Sequence, residues 1–222
     1  MDALPWFDAG VIVVLFTILV KLVLYPLSKK ASISQIRMKE IEPELKAVKE
    51  KYKNDSQELA KRTMEIYKQN KVNPFSSIFV ILIQLPIIFS LYYVFFRSGL
   101  PALNMDLLYS FVPRPETINM NFLGLIDITE KSIALALLAG ISSFFQALVV
   151  SPKLGPKGPN PSFQDDLARG MSMQMKYIFP VIVFFISITV SGVVALYWFT
   201  SNVFTIFQEL YIRRTTKILL SS

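Results

Sequence analysis

Between Val11 and Leu24 every residue is strongly apolar except Thr17 and Lys21. On a helix Thr17, Lys21, Tyr25 and Ser28 follow i, i+4, i+8 and i+11 and form one polar seam. If the segment lies in lipid, an ionisable group there costs about 2.5–3.5 kcal/mol on insertion scales. Three arrangements would hold it. The bland one is a lysine that snorkels to the nearer interface. That interface lies near Ser28, about 10 Å along the helix, and helical side chains lean the other way, toward their own N-terminus. The second is a buried ion pair, but no Asp or Glu falls inside an apolar segment, Glu209 standing at the end of the last one. The third is a hydrated cavity, which keeps the charge wet.

Other chemistry is excluded by composition. The chain has no cysteine and no histidine, which removes disulfides, thiol nucleophiles, Cys/His metal sites and histidine bases. No G-x-x-x-x-G-K-[ST] loop is present, so the chain is not expected to hydrolyse nucleotide itself. No cofactor or metal is expected, and without a nucleophile–base pair an enzyme is the weakest reading. Polar groups that could line a wet cavity recur elsewhere: Gln84; Ser142, Ser143 and Gln146; and Tyr197, Ser201, Thr205 and Gln208, again near i, i+4, i+8, i+11. Each alone is ordinary glue between membrane helices. Two polar seams and an unpaired lysine together favour a groove.

The elements that must position these groups are membrane spans. The 222 residues are 53% hydrophobic with mean hydropathy +0.46, and the apolar residues come in blocks rather than stripes. Spans are expected at about 9–27, 75–96 and 132–150. The last apolar block, Tyr177–Leu210, has 34 residues and would run about 51 Å as one helix, against a hydrocarbon core of about 30 Å. A break at Ser191–Gly192 divides it into spans of about 177–191 and 193–210. The expected fold is all-α: five transmembrane helices with a polar groove open to the cytoplasm, plus a cytoplasmic helical hairpin.

Charge orients the spans. Ser28–Asn73 carries 12 Lys/Arg, Arg97–Lys131 carries 3 against 4 acids, Ser151–Lys176 carries 4, and the tail adds Arg213, Arg214 and Lys217. Basic segments face the cytoplasm, which puts the N-terminus outside and the C-terminus in the cytoplasm. The acidic start, "MDALPWFDAG", does not read as a cleavable signal peptide. In the hairpin, residues 28–73, a loose apolar stripe (Ile33, Ile36, Ile41, Leu45, Val48, Tyr52) stops at "NDS", residues 54–56. Asp55 with Glu58 fits the cap of a return helix, and Pro43 suggests a restart near Glu42; the alternative is a solvated charged linker. In the extracytoplasmic segment, residues 97–131, "LPALNMDLLYSFVP" suits a short interfacial helix. The cytoplasmic loop, residues 151–176, is rich in Pro and Gly at its start and is expected to be mobile.

"ILVKLVLYPLSKKA", "YKQNKVNPFSSIFVILIQLPIIFSLYYVF", "QMKYIFPVIV" and "ALYWFTSNVFTIFQE" together resemble the YidC/Oxa/Alb membrane protein insertase family, most closely its bacterial branch, over nearly the whole chain. The resemblance implies a multi-pass protein of the bacterial plasma (inner) membrane. It matches Lys21 to a single groove charge that is usually Arg, which keeps the charge but loses the bidentate fork. Gln84, Gln146, Tyr197 and Trp198 match other groove positions. Compared with larger relatives, no preceding signal anchor, large extracytoplasmic domain or long basic tail is expected. The implied partners are nascent membrane proteins and the lipid bilayer. A Sec-type translocon, the signal recognition particle receptor and the ribosome are candidate partners, and no sequence-specific nucleic acid is expected.

The implied action is physical. A groove reaching partway through the bilayer shortens the path of a short polar segment, Lys21 attracts acidic residues and holds water, and the substrate helix leaves into lipid. The expected groove set is Lys21, Thr17, Tyr25, Gln84, Ser143, Gln146, Tyr197, Trp198, Ser201 and Thr205. Two rival readings are an anion channel or transporter, disfavoured because no internal repeat is seen, and a chaperone that only packs other proteins' helices.

Overall fold

Pro26 ends the first apolar helix. Its ring has no N–H to donate and crowds the carbonyl four residues back, so α1 (Ala9–Val23) stops and α2 (Tyr25–Glu40) begins after a turn at Leu24, with Pro26 in its first turn. The computed structural model describes residues 8–73, 86, 87, 89, 90, 93, 118–151 and 169–221. The further elements are α3 (Glu42–Lys51), α4 (Ser56–Gln69), a ribbon of β1 (Asn121–Phe122) and β2 (Ile126–Asp127), α5 (Ile133–Val150), α6 (Phe179–Thr189) and α7 (Gly192–Ser221). A π-helical turn, Gln174–Ile178, leads into α6. Most of the second expected span with Gln84, the expected interfacial helix, and the Pro/Gly-rich stretch after Ser151 lie outside the described residues.

Among the described residues, Ile133–Val150 and Arg169–Thr189 are long and apolar enough to cross a membrane, and α1 with α2, taken across the break as one span, would make a third. The fold is therefore that of a mostly helical membrane protein. It divides into two units. One holds α1, the ribbon, α5, α6 and α7 as far as Phe207; the other holds α2, α3, α4 and α7 from Gln208 on.

In the first unit α5 and α6 pack through small residues. Ala136, Ala139, Gly140 and Ser143 are buried on α5, and Pro180, Val183 and Ser187 on α6. A Cβ on Gly140 would stand 3.0 Å from Phe184 Cβ and 3.4 Å from the Pro180 carbonyl, so glycine permits the close approach that membrane helices use in place of a hydrophobic drive. Ile133, Leu137, Ile141, Phe145 and Leu148 point outward from α5, as do Val181, Ile182, Phe185 and Ile186 from α6, the arrangement that suits lipid.

The 34-residue apolar block does break at Ser191–Gly192. Val190 is extended, and α7 starts at Gly192. The first N–H groups of a helix have no partner within it. Here Gly192 N donates to Glu130 O at 2.8 Å and Val193 N to Ile128 O at 3.0 Å. A Cβ at Gly192 would meet Ile128 Cα at 3.2 Å and Glu130 O at 3.3 Å, which leaves little room for any other residue. The ribbon is an antiparallel pair, Asn121 opposite Asp127 and Phe122 opposite Ile126. Its turn uses left-handed backbone at Leu123 (φ 52) and Gly124 (φ 70). Buried Asp8 ties α1 to it: Oδ1 accepts from Val11 N and Oδ2 from Leu123 N, both at 2.8 Å. Phe122 lies on Gly10, where any Cβ would overlap it. Ile128 and Met120 reach the core with Val13, Leu135, Val193 and Tyr197.

In the second unit Asp55 caps α4, accepting from Gln57 N at 3.1 Å and Glu58 N at 3.0 Å. Pro43 sits in the first turn of α3. Ile41, Ile66 and Val72 form a small core with Met38, Leu45, Val48 and Tyr67, and burial pushes the Tyr67 phenol pKa up. Ser34 and Asn73 close the base: Ser34 Oγ donates to Asn73 O at 3.1 Å, and Asn73 N stands 3.0 Å from Ser34 Oγ.

Candidate functional site

Lys21 lies in the last turn of α1 and is half-buried. Its Nζ donates to Thr205 Oγ1 at 3.2 Å, and Thr205 Oγ1 donates to Ser201 O at 2.8 Å. A hydroxyl has one proton and two lone pairs. With the proton on the Ser201 carbonyl, the lone pairs are free for the ammonium. No carboxylate among the described residues pairs with Lys21. The contact is therefore a cation on a neutral hydroxyl, which leaves most of the charge to be met by something else.

Ser201 and Thr205 are successive turns on one face of α7. Tyr197, a turn earlier, is 1% exposed and sits in the core with Leu135, Val193 and Leu196. Its hydroxyl is hydrogen-bonded to the Ser201 side chain. Trp198 is half-buried against the same core. Thus Lys21, Thr205, Ser201 and Tyr197 form a connected polar run inside one unit.

The rest of the expected seam is arranged differently. Thr17 is fully buried, and its hydroxyl donates to Val13 O at 2.6 Å, so it is spent on its own helix. Tyr25 and Ser28 belong to α2, beyond the break, and Ser28 Oγ donates to Leu24 O at 3.1 Å. The seam needs a straight helix from residue 17 to 28, and Pro26 does not allow one. Gln84 lies outside the described residues.

On α5, Ser143 is buried and Gln146 half-buried. Ser143 faces Asn202, which sequence reasoning passed over. Asn202 Nδ2 donates to Ser143 Oγ at 2.7 Å and Ser142 Oγ at 3.0 Å, and lies 3.4 Å from Ala139 O. All three side chains are buried. Asn202 follows Ser201 by one residue, about 100° around the helix. The i, i+4 count along Tyr197, Ser201 and Thr205 steps past it, although a lone Asn in an apolar helix is itself a signal for an interhelical bond. α7 thus has two polar faces, one toward Lys21 and one joined to α5.

Comparison with known proteins supplies the family. Residues 4–218 match the model of the family described as 60Kd inner membrane protein. A protein of Clostridium tetani named membrane protein insertase YidC is 31% identical over 95% of this chain and 84% of its own length. One of Fusobacterium nucleatum with the same name is 32% identical over 92% of this chain and 86% of its own. The Francisella philomiragia protein so named is 33% identical over 92% of this chain, which covers only 32% of that longer protein. The chain belongs to the 60Kd inner membrane protein family, to which the YidC membrane protein insertases are its relatives.

Proposed function

We propose that this chain is a membrane protein insertase. It moves short polar segments of nascent membrane proteins across the bilayer through a hydrophilic groove, releases their helices to lipid and hydrolyses no nucleotide. The groove is formed by Lys21, Tyr197, Trp198, Ser201 and Thr205 with Ser143 and Gln146. Five spans carry it, with the N-terminus outside, the C-terminus in the cytoplasm, and residues 28–73 a cytoplasmic helical hairpin. The observation that carries the reading is Lys21: an ammonium in an apolar helix, held by the Thr205 hydroxyl and paired with no carboxylate among the described residues. Such a cation is costly in lipid and is best met by water or by a passing acidic group. The step is physical rather than covalent. Partners are nascent membrane proteins and lipid, with the translocon, the signal recognition particle receptor and the ribosome as further candidates.

The test is a photocrosslinker placed at Lys21 or Tyr197, with a substrate stalled during insertion. The polar segment of the substrate should crosslink from both positions, while a crosslinker at lipid-facing Phe185 should catch its apolar helix or nothing. Absence of crosslinks from both Lys21 and Tyr197 would refute the groove.

A further inference from the structure

Glu209 is the only acidic residue of α7, and it is 4% exposed. A carboxylate survives burial only when it is paired and hydrogen-bonded. Both of its oxygens are engaged. Oε1 accepts from Arg213 Nε at 2.7 Å, one helical turn on. Oε2 accepts from Ser32 Oγ. Ser32 is itself buried, on α2, the first helix of the hairpin. That helix opens at Leu24 without a side-chain cap, so its root is not held by the usual local device. Two serines on α2 have separate duties. Ser34 bonds Asn73 and closes the hairpin's base on itself; Ser32 reaches out of the hairpin to α7.

We propose that Ser32, Glu209 and Arg213 are the anchor of the helical hairpin. Arg213 supplies the countercharge that lets a carboxylate stay buried at the end of α7, and that carboxylate holds Ser32 and with it the root of α2. Glu209 is a positioning residue, and breaking its bond to Ser32 lets the hairpin leave α7 as an intact piece. Hydrogen bonds to charged groups are among the strong ones, so losing this one should raise the released population about ten- to a hundredfold.

The chain has no cysteine, which suits paired spin labels in the full-length protein in nanodiscs. One pair, at Asn54 in the hairpin turn and at exposed Tyr211 on α7, reads the anchor. A second pair, at exposed Glu50 and Lys61, reads the hairpin's own integrity. In Ser32→Ala and Glu209→Ala the 54–211 distance distribution should broaden toward longer distances while the 50–61 distribution stays as in the parent. Ser32→Ala keeps the Glu209–Arg213 pair, so it remains informative if Glu209→Ala fails to fold. An unchanged 54–211 distribution in Ser32→Ala would overturn the proposal. So would equal broadening of both pairs, which would mean that the hairpin melts rather than detaches. Neither readout depends on insertion activity.

Discussion

Replacing Asn202 by Ala removes a side chain of α7 that bonds α5. The loss is two interhelical hydrogen bonds, to Ser143 Oγ at 2.7 Å and Ser142 Oγ at 3.0 Å. Such bonds in membranes average about 0.6 kcal/mol each, with a ceiling near 1.7. Two of them give about 1.2 kcal/mol, or about 2–5 °C in melting temperature for a chain of this size. The two serines should not contribute equally. Ser142 Oγ donates to Ala139 O at 3.0 Å and keeps that bond when Asn202 is gone, whereas buried Ser143 loses its acceptor role to Asn202 outright. A double-mutant cycle read by thermal unfolding in detergent should therefore find more coupling for Asn202→Ala with Ser143→Ala than with Ser142→Ala. Equal stability of Asn202→Ala and the parent, or no coupling to Ser143, would refute this account of how α5 and α7 are joined.

A cysteine introduced at Leu125, which is 83% exposed in the ribbon turn, should be labelled by an impermeant reagent from outside intact cells; labelling only from the cytoplasmic side would overturn the proposed orientation. Asp8→Ala should cost about 2–4 kcal/mol, because it removes both the cap of α1 and the bond to Leu123 N. Asp8→Asn, which keeps an acceptor, should cost less; a chemical-denaturation series decides. Deleting residues 34–68 should leave a folded α1, α5, α6 and α7 core, since none of the residues clustered with Ile128 and Tyr197 comes from that stretch, yet should reduce insertion in cells. Loss of the folded core would make the hairpin structural.

How much of this was legible from sequence depended on the range of the cause. The break at Ser191–Gly192 could be read because 34 apolar residues exceed the bilayer. Its mechanism could not be, because the carbonyls that accept the Gly192 and Val193 N–H groups come from Glu130 and Ile128, some sixty positions away in the chain. Asp55 and Pro43 act within one turn and were readable. Pro26 acts just as locally, but the apolar run continues to Leu27, and hydropathy hid the helix end. The ribbon has strands of two residues, too short to carry any periodicity. Asp8 read as part of an acidic terminus; its second partner, Leu123, is 115 residues on. Lys21 was found by being out of place, and Thr205 by the seam it shares with Ser201. Asn202 needed the neighbouring helix to be seen.

In the proposed function the charge of Lys21 serves insertion. At an effective dielectric of about 20, a carboxylate about 4 Å from the ammonium gains on the order of 4 kcal/mol before desolvation, enough to bias a transient step. The direct measurement is the translocated fraction of two substrates matched except for tail charge, one acidic and one neutral, in liposomes holding only this protein. Lys21→Arg should insert both as the parent does. Lys21→Met should impair the acidic substrate most, and Lys21→Glu should impair it further by repulsion. Parental insertion of both substrates by Lys21→Met would contradict the claim, and an equal fall in both would replace attraction of the tail by hydration of the groove.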